Sequence, residues 1–269
     1  MIQLEIHGAR GSYPIFDERC RRYGGNTSCY SIETPDELFI IDAGTGLTRL
    51  GEQLWQRPAL PPITLLLTHV HLDHVMGLPS FKPLRRKDAR ITIMLEPSHA
   101  MQWRQTATTL VSKPLWPVEL FQFGAAVQFD ELPSGPLVRH DLTIYRCAIA
   151  HPQGGISYRF EMPERTLVLA TDREQGDSPL MDRAFLEFCR GADVLLHDAQ
   201  YTPEEYPTYR GWGHSTWEQS AALAKEAAAK HLVLVSHDPS RSDDELDQIV
   251  ARAKRVFPNT IAAAERLVV

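Results

Sequence analysis

With 269 residues, 43% of them hydrophobic, the chain can bury a large core as one domain or as a domain carrying an insertion. A net charge of −6, with no basic run longer than Arg85-Arg86-Lys87, argues against an extended nucleic-acid surface, which needs a pronounced basic stripe. The N-terminus lacks the charged-then-apolar pattern of a signal peptide, no apolar stretch approaches the roughly 20 residues that span a bilayer, and Cys20, Cys29, Cys147 and Cys189 lack the spacing of zinc ligands. The expectation is a reduced cytoplasmic protein with no membrane partner.

Strand-like runs occur at 2–7, 29–34, 38–43, 63–68, 91–96, 126–132, 143–150, 155–161, 166–171, 193–198, 231–236 and 260–268. Between the first two, Gly8–Pro14 and Arg22–Cys29 form glycine-rich loops in which Arg10, Ser12, Asn26 and Ser28 are suited to donate to phosphate oxygens. A helix over 46–56 continues from Asp42-Ala43-Gly44-Thr45-Gly46, and Ser98 caps a helix that begins near Pro97. Val111–Phe121 then reads as an extended, proline-bounded segment. Ser178-Pro179 opens a helix that runs to about 190, with the proline at its first position. Two capping boxes, Ser215–Glu218 and Ser242–Glu245, precede helices at 221–230 and 246–256. The alternation predicts an α/β fold in one domain, 1–269.

Residues 68–77, Thr-His-Val-His-Leu-Asp-His-Val-Met-Gly, follow the apolar run Ile63–Leu67. Four groups with lone pairs, His69, His71, Asp73 and His74, fall within six positions at the end of a buried strand, where sites on α/β scaffolds tend to be built. Such a density marks a metal site. His69 and His71, two apart, can converge on one ion, and Asp73 and His74, on the following turn, can reach a second.

This H-x-H-x-D-H signature resembles that of the metallo-β-lactamase superfamily. The resemblance implies a four-layer αβ/βα sandwich and further ligands downstream, each just after a strand-like run: His151, Asp172 and His237. By that resemblance His69, His71 and His151 hold one divalent ion, Asp73, His74 and His237 the other, and Asp172 bridges them. Nitrogen and oxygen ligation without thiolate fits Zn²⁺ or Mn²⁺, with iron or nickel as alternatives.

Asp198 ends the run 193–198, and Gly211-Trp212-Gly213-His214-Ser215-Thr216 opens the next helix. The pair is similar to the phosphodiesterase branch of the superfamily, which includes tRNase Z and cyclic-phosphate phosphodiesterases. There an acid orients the histidine of an H-S-T segment beside the metals, although tRNase Z has glutamate at the acid position. The resemblance implies hydrolysis of a small phosphodiester, cyclic nucleotides included, by a hydroxide bridging the ions, with Asp73, Asp198 and His214 catalytic and His214 the general acid. Arg10, Ser12, Asn26 and Trp116 are the candidate substrate contacts. The alternatives are a carboxylic ester, lactone or thioester hydrolase of the same fold, or a tRNA 3′-processing endonuclease. The region 172–192 is too short for a tRNA-gripping arm. In the segment 97–122, Trp103, Leu110, Leu115, Trp116 and Phe121 are bulky enough for a lid over the metals or the contact of a homodimer, while ordinary packing against the sandwich is the expected fate of most of them.

Overall fold

Leucine-rich and β-branched runs become strands where turn residues bound them. The computed structural model describes residues 3–176 and 179–269, and the chain divides into two compact units. The first comprises the chain up to Gly8, Asn26–Pro133 and Glu265–Val269; the second comprises Ala9–Gly25 and Ser134–Ala264.

The first unit holds a six-stranded sheet, in the order β1 (Leu4–Gly8), β2 (Cys29–Glu33), β3 (Leu38–Ile41), β4 (Ile63–Leu66), β5 (Arg90–Leu95) and β6 (Ala126–Glu131). β1 to β3 are antiparallel neighbours, and β3 to β6 run parallel. Every residue of β3 and β4 is buried, as parallel strands covered on both faces require. Helix α1 (Gly46–Trp55) buries Leu47, Leu50 and Leu54, a stripe at helical spacing in which each leucine stabilises by about 1.5–3 kcal/mol. Helix α2 (Ala100–Leu110) buries Trp103 and Ala107, one turn apart.

The second unit holds seven strands: β7 (Leu137–Arg139), β8 (Leu142–Ile149), β9 (Gly155–Met162), β10 (Arg165–Ala170), β11 (Val194–Asp198), β12 (His231–Val235) and β13 (Thr260–Ala262), ordered β13-β12-β11-β10-β9-β8-β7. β7 to β10 are antiparallel neighbours, and β10 to β13 run parallel. Its helices are α3 (Pro179–Cys189), the single turn α4 (Tyr206–Tyr209), α5 (Trp217–Glu226) and α6 (Asp243–Ala253). Val168, Leu195 and Leu232 of the sheet share a core with Phe185, Trp217, Ala221 and Leu246 of these helices. Among the described residues no helix is long and apolar enough to cross a membrane.

The α/β class read from the sequence is what the structure has, and most strand bounds shift by a residue or two. Three local expectations fail for identifiable reasons. The run 260–268 keeps only Thr260–Ala262 in the second sheet, because Leu267 and Val269 exchange backbone bonds with β1. Thr216, not Ser215, caps α5 and closes its box with Gln219, while the Ser215 hydroxyl donates to the Arg173 carbonyl at 2.6 Å. His99, not Ser98, precedes α2, and the Ser98 hydroxyl lies 2.9 Å from His99 Nδ1. Ser242 caps α6 as expected, whereas the Ser178 cap lies outside the described residues. The short β7 carries too few residues to show a period.

Two buried histidines make the fold acid-sensitive. Burial pushes His7 down to about 4, and burial with the nearby Arg173 charge pushes His197 down to about 3. In the unfolded chain both titrate near 6.5, so below that pH the unfolded state binds protons that the native state refuses. Their contribution is present above 6.5 and is lost as pH falls towards 4 and 3 respectively. Between pH 7 and 5 each should remove about 2 kcal/mol. Urea unfolding of His197→Asn should show a pH dependence weaker by that amount; an unchanged dependence would remove His197 from the explanation.

Candidate metal centre

Three parallel strands end in the same kind of backbone turn. Asp42 follows β3 with φ 61°, Asp172 follows β10 with φ 49°, and Ser236 follows β12 with φ 56°. Left-handed backbone at a non-glycine residue costs of order 1 kcal/mol or more and persists only where its surroundings hold it. Here it turns the chain sharply at the carboxyl edge of each sheet and delivers groups with lone pairs there.

In the first unit, His69, Asp73 and His74 are buried and His71 is half-buried. The His69 ring centroid lies 4.7 Å from that of His71 and 4.1 Å from that of His74. His74 Nδ1 is 2.7 Å from Asp42 Oδ2, with both side chains fully buried. The Asp42 carboxylate also accepts the Thr68 backbone N–H at 2.7 Å and the Thr68 hydroxyl at 2.9 Å. Burial pushes the Asp42 carboxyl up, and His74 and Thr68 pull it back. With its Nδ1 proton held by Asp42, His74 presents Nε2 as a lone pair, 3.3 Å from Asp73 Oδ2.

In the second unit, His151 Nδ1 donates to the Gly213 carbonyl at 2.9 Å, and His237 Nε2 donates to the Ala263 carbonyl at 3.0 Å. Carbonyls only accept, so these nitrogens carry the ring protons and the opposite nitrogens carry lone pairs. Burial, aided by the Arg10 charge, pushes His237 down to about 3 and keeps it neutral. Asp172 accepts the Ser236 hydroxyl at 2.8 Å. Asp198 Oδ2 lies 2.6 Å from His214 Nδ1, and Asp198 Oδ1 accepts the backbone N–H groups of Gln200 and Ser215, each at 3.1 Å. Burial and the neighbouring Asp172 charge push the Asp198 carboxyl up, against the pull of His214.

Asp172, Asp198 and His214 each offer a ligand atom, and these atoms lie within 4.8 Å of one another. Two carboxylates this close repel unless a cation or a shared proton intervenes. Neutral imidazoles of fixed tautomer beside carboxylates are a donor set that fits a divalent ion of intermediate softness. The residues of each unit therefore fit metal.

Several groups that organise these donors carried no legible signal. Asp42 read only as the approach to α1, and Thr68 only as a strand end. Glu174, 1% exposed, accepts the N–H groups of Gly211 and Gly213 at 2.8 Å each and the Tyr206 hydroxyl at 2.8 Å. It thus holds the turn whose Gly213 carbonyl receives His151. Gly213 itself has φ +90°, and a Cβ there would lie 2.1 Å from His151 Nδ1. Glu174→Ala should destabilise the protein by about 2–4 kcal/mol, since hydrogen bonds to a buried charge are strong and their donors are left unsatisfied. An unchanged urea midpoint would show that the turn holds itself.

Three of the four candidate substrate contacts, Arg10, Ser12 and Asn26, are hydrogen-bonded within the protein. Arg10, 1% exposed, donates to the carbonyls of Gly24, Asp238 and Arg241 at 2.9, 3.0 and 2.8 Å. Ser12 accepts from Gln200 at 3.3 Å, and the Asn26 amide donates to Glu265 at 3.0 Å. Trp116 is half-buried in the irregular segment after α2, whereas Trp103 is buried in α2 itself.

A fold with ligand-bearing strand ends in both units is the fold of a metal-dependent hydrolase. The chain belongs to the β-lactamase superfamily: residues 38–237 match the family model "Beta-lactamase superfamily domain". It is 38% identical to Ribonuclease Z of Methanosarcina acetivorans over 315 aligned positions, covering 98% of this chain and 96% of that protein. Among solved structures, the metallo-beta-lactamase fold protein YhfI of Bacillus subtilis superposes with a TM-score of 0.74 at 19% identity, over 100% of this chain and 98% of that one. Human tRNase Z, short form, superposes with a TM-score of 0.67 at 19% identity, also over 100% and 98%. The fold is of the metallo-β-lactamase type, which binds divalent metal.

These likenesses correct one expectation. The acidic net charge argued against an extended nucleic-acid surface, but a relative that spans nearly the whole chain is a ribonuclease. Net charge averages the entire surface and says nothing of how charge is arranged locally.

Proposed function

We propose that the protein hydrolyses phosphodiester bonds of RNA, as the name of its ribonuclease Z relative implies. The observation that carries the chemistry is the buried Asp198–His214 pair at 2.6 Å. In this proposal His69, His71 and His151 hold one ion, Asp73, His74 and His237 the other, with Asp172 shared, and zinc or manganese suits the donors. Two divalent ions, when bound, supply Lewis acidity that lowers the pKa of water and offsets charge developing on phosphate oxygens.

The chain's own residues do the rest. Asp198 keeps His214 Nδ1 protonated and fixes the ring, so Nε2 is the atom that hands a proton to the departing ribose oxygen. The backbone N–H of Ser215 donates to Asp198 Oδ1 at 3.1 Å and helps to hold that carboxylate in place. Asp73, next to His74 Nε2, is the carboxylate assigned to receive the proton that the attacking water releases.

A smaller diester is the second reading. It is favoured by the alignment with the Methanosarcina acetivorans ribonuclease Z, whose 315 positions exceed the 269 residues of this chain, so that the relative carries insertions relative to it. A panel separates the readings: a 3′-extended tRNA, a cyclic nucleotide, bis(p-nitrophenyl) phosphate, a lactone and a thioester, each assayed with zinc and with manganese. Preferred cleavage of the tRNA is expected. Preference for the cyclic nucleotide would select the second reading, and preference for the lactone or thioester would overturn both.

A further inference from the structure

A run of aromatic rings leads from His214 to solvent. The Tyr201 ring meets His214 edge-on, with centroids 5.7 Å apart and planes at 86°. Tyr201 and Tyr209 lie parallel, 4.6 Å apart with 7° between their planes, and Tyr209 meets Trp212 at 5.3 Å and 78°. Tyr201 is 2% exposed and Trp212 is 62% exposed, so the run begins buried and ends in water. What sets Trp212 apart from other exposed apolar side chains is this continuous ring contact back to His214.

The backbone on either side of Trp212 is fixed. The Glu174 carboxylate takes the N–H of Gly211 and the N–H of Gly213, the two residues that flank the tryptophan. Gly211 has φ +88°, and a Cβ added there would meet nothing within 4 Å, so the chain just before Trp212 borders open space. Arg210, next along the chain, is exposed. An exposed indole on anchored backbone with a neighbouring cation, two residues from the proposed proton donor, matches what a nucleotide offers: a flat base and a phosphate.

We propose that Trp212, posted by Glu174 and backed by Tyr209 and Tyr201, is the stacking platform for an unpaired base of the substrate. The inference rests on the reading of the protein as a hydrolase of nucleotide-containing diesters and adds the subsite that grips the base. Stacking is indifferent to which base is present, because every base has a π face. The platform therefore gives affinity for nucleotides with little sequence preference.

The test is equilibrium binding of adenosine 5′-monophosphate and of ribose 5-phosphate to the metal-loaded protein, by calorimetry. Wild type should bind the nucleotide more tightly, and Trp212→Ala should weaken nucleotide binding about 5- to 100-fold while leaving ribose 5-phosphate unchanged. Trp212→Tyr, which keeps a ring, should restore most of the affinity. Equal binding of the two ligands to wild type, or equal weakening of both in Trp212→Ala, would overturn the platform; the second result would mark Trp212 as structural. Base-dependent binding without cleavage of any RNA would leave the platform standing and remove the substrate reading instead.

Discussion

His214→Ala should lower kcat on a diester with an alkoxide leaving group by ~10²–10⁴-fold, while turnover of bis(p-nitrophenyl) phosphate falls far less. The difference lies in the leaving oxygen. A ribose alkoxide is a poor leaving group and needs a proton as the P–O bond breaks, whereas p-nitrophenolate leaves without one. In the proposed mechanism His214 supplies that proton: Asp198, at 2.6 Å, fixes its tautomer, and two backbone N–H groups at 3.1 Å hold Asp198 in turn. Asp198→Asn should follow the same pattern, since an amide can hold the ring in the wrong tautomer. Steady-state rates on the two substrates decide the matter. Equal losses on both would show that His214 serves the metals or the fold and not the leaving group.

Asp172→Ala should abolish measurable turnover and lower bound metal from two ions per chain to one or fewer. Asp172 is 2% exposed, sits on strained backbone at φ 49° and is oriented by the Ser236 hydroxyl at 2.8 Å. In the proposed site Asp172 is the carboxylate shared by both ions, while Asp198 is hydrogen-bonded to His214 at 2.6 Å. Removing one ligand of a buried set also leaves the remaining donors without their cation. Elemental analysis of the purified variant is the check. Two ions still bound at wild-type affinity would contradict the shared role of Asp172.

The parts of the site that the sequence displays are those built from close neighbours or from strand ends. His69, His71, Asp73 and His74, the proposed ligands of the first unit, fall within six positions, so their spacing alone exposes them. His151, Asp172, His237 and Asp198 each end an apolar run, and that position singles them out. Asp42 and Glu174 escaped because their partners are distant in the chain: Asp42 meets His74 32 residues on, and Glu174 meets Gly213 39 residues on. A lone acid in a loop carries no mark of what it will hold. The capping register at α5 slipped by one residue for a related reason, since Ser215 and Thr216 are equally good caps and only tertiary contact to Arg173 chooses between them. The misjudged nucleic-acid partner has a different origin. A net charge of −6 over 269 residues is a sum over the whole surface and does not report how charge is arranged locally.

The most direct test of a two-metal phosphodiesterase is a titration. Protein stripped with a chelator is returned to activity by stepwise addition of zinc, and in parallel of manganese, with phosphodiester cleavage measured at each step. Activity should be absent from the stripped protein and rise to its maximum at two equivalents per chain. Cleavage by the stripped protein, or saturation at a single equivalent, would contradict the account.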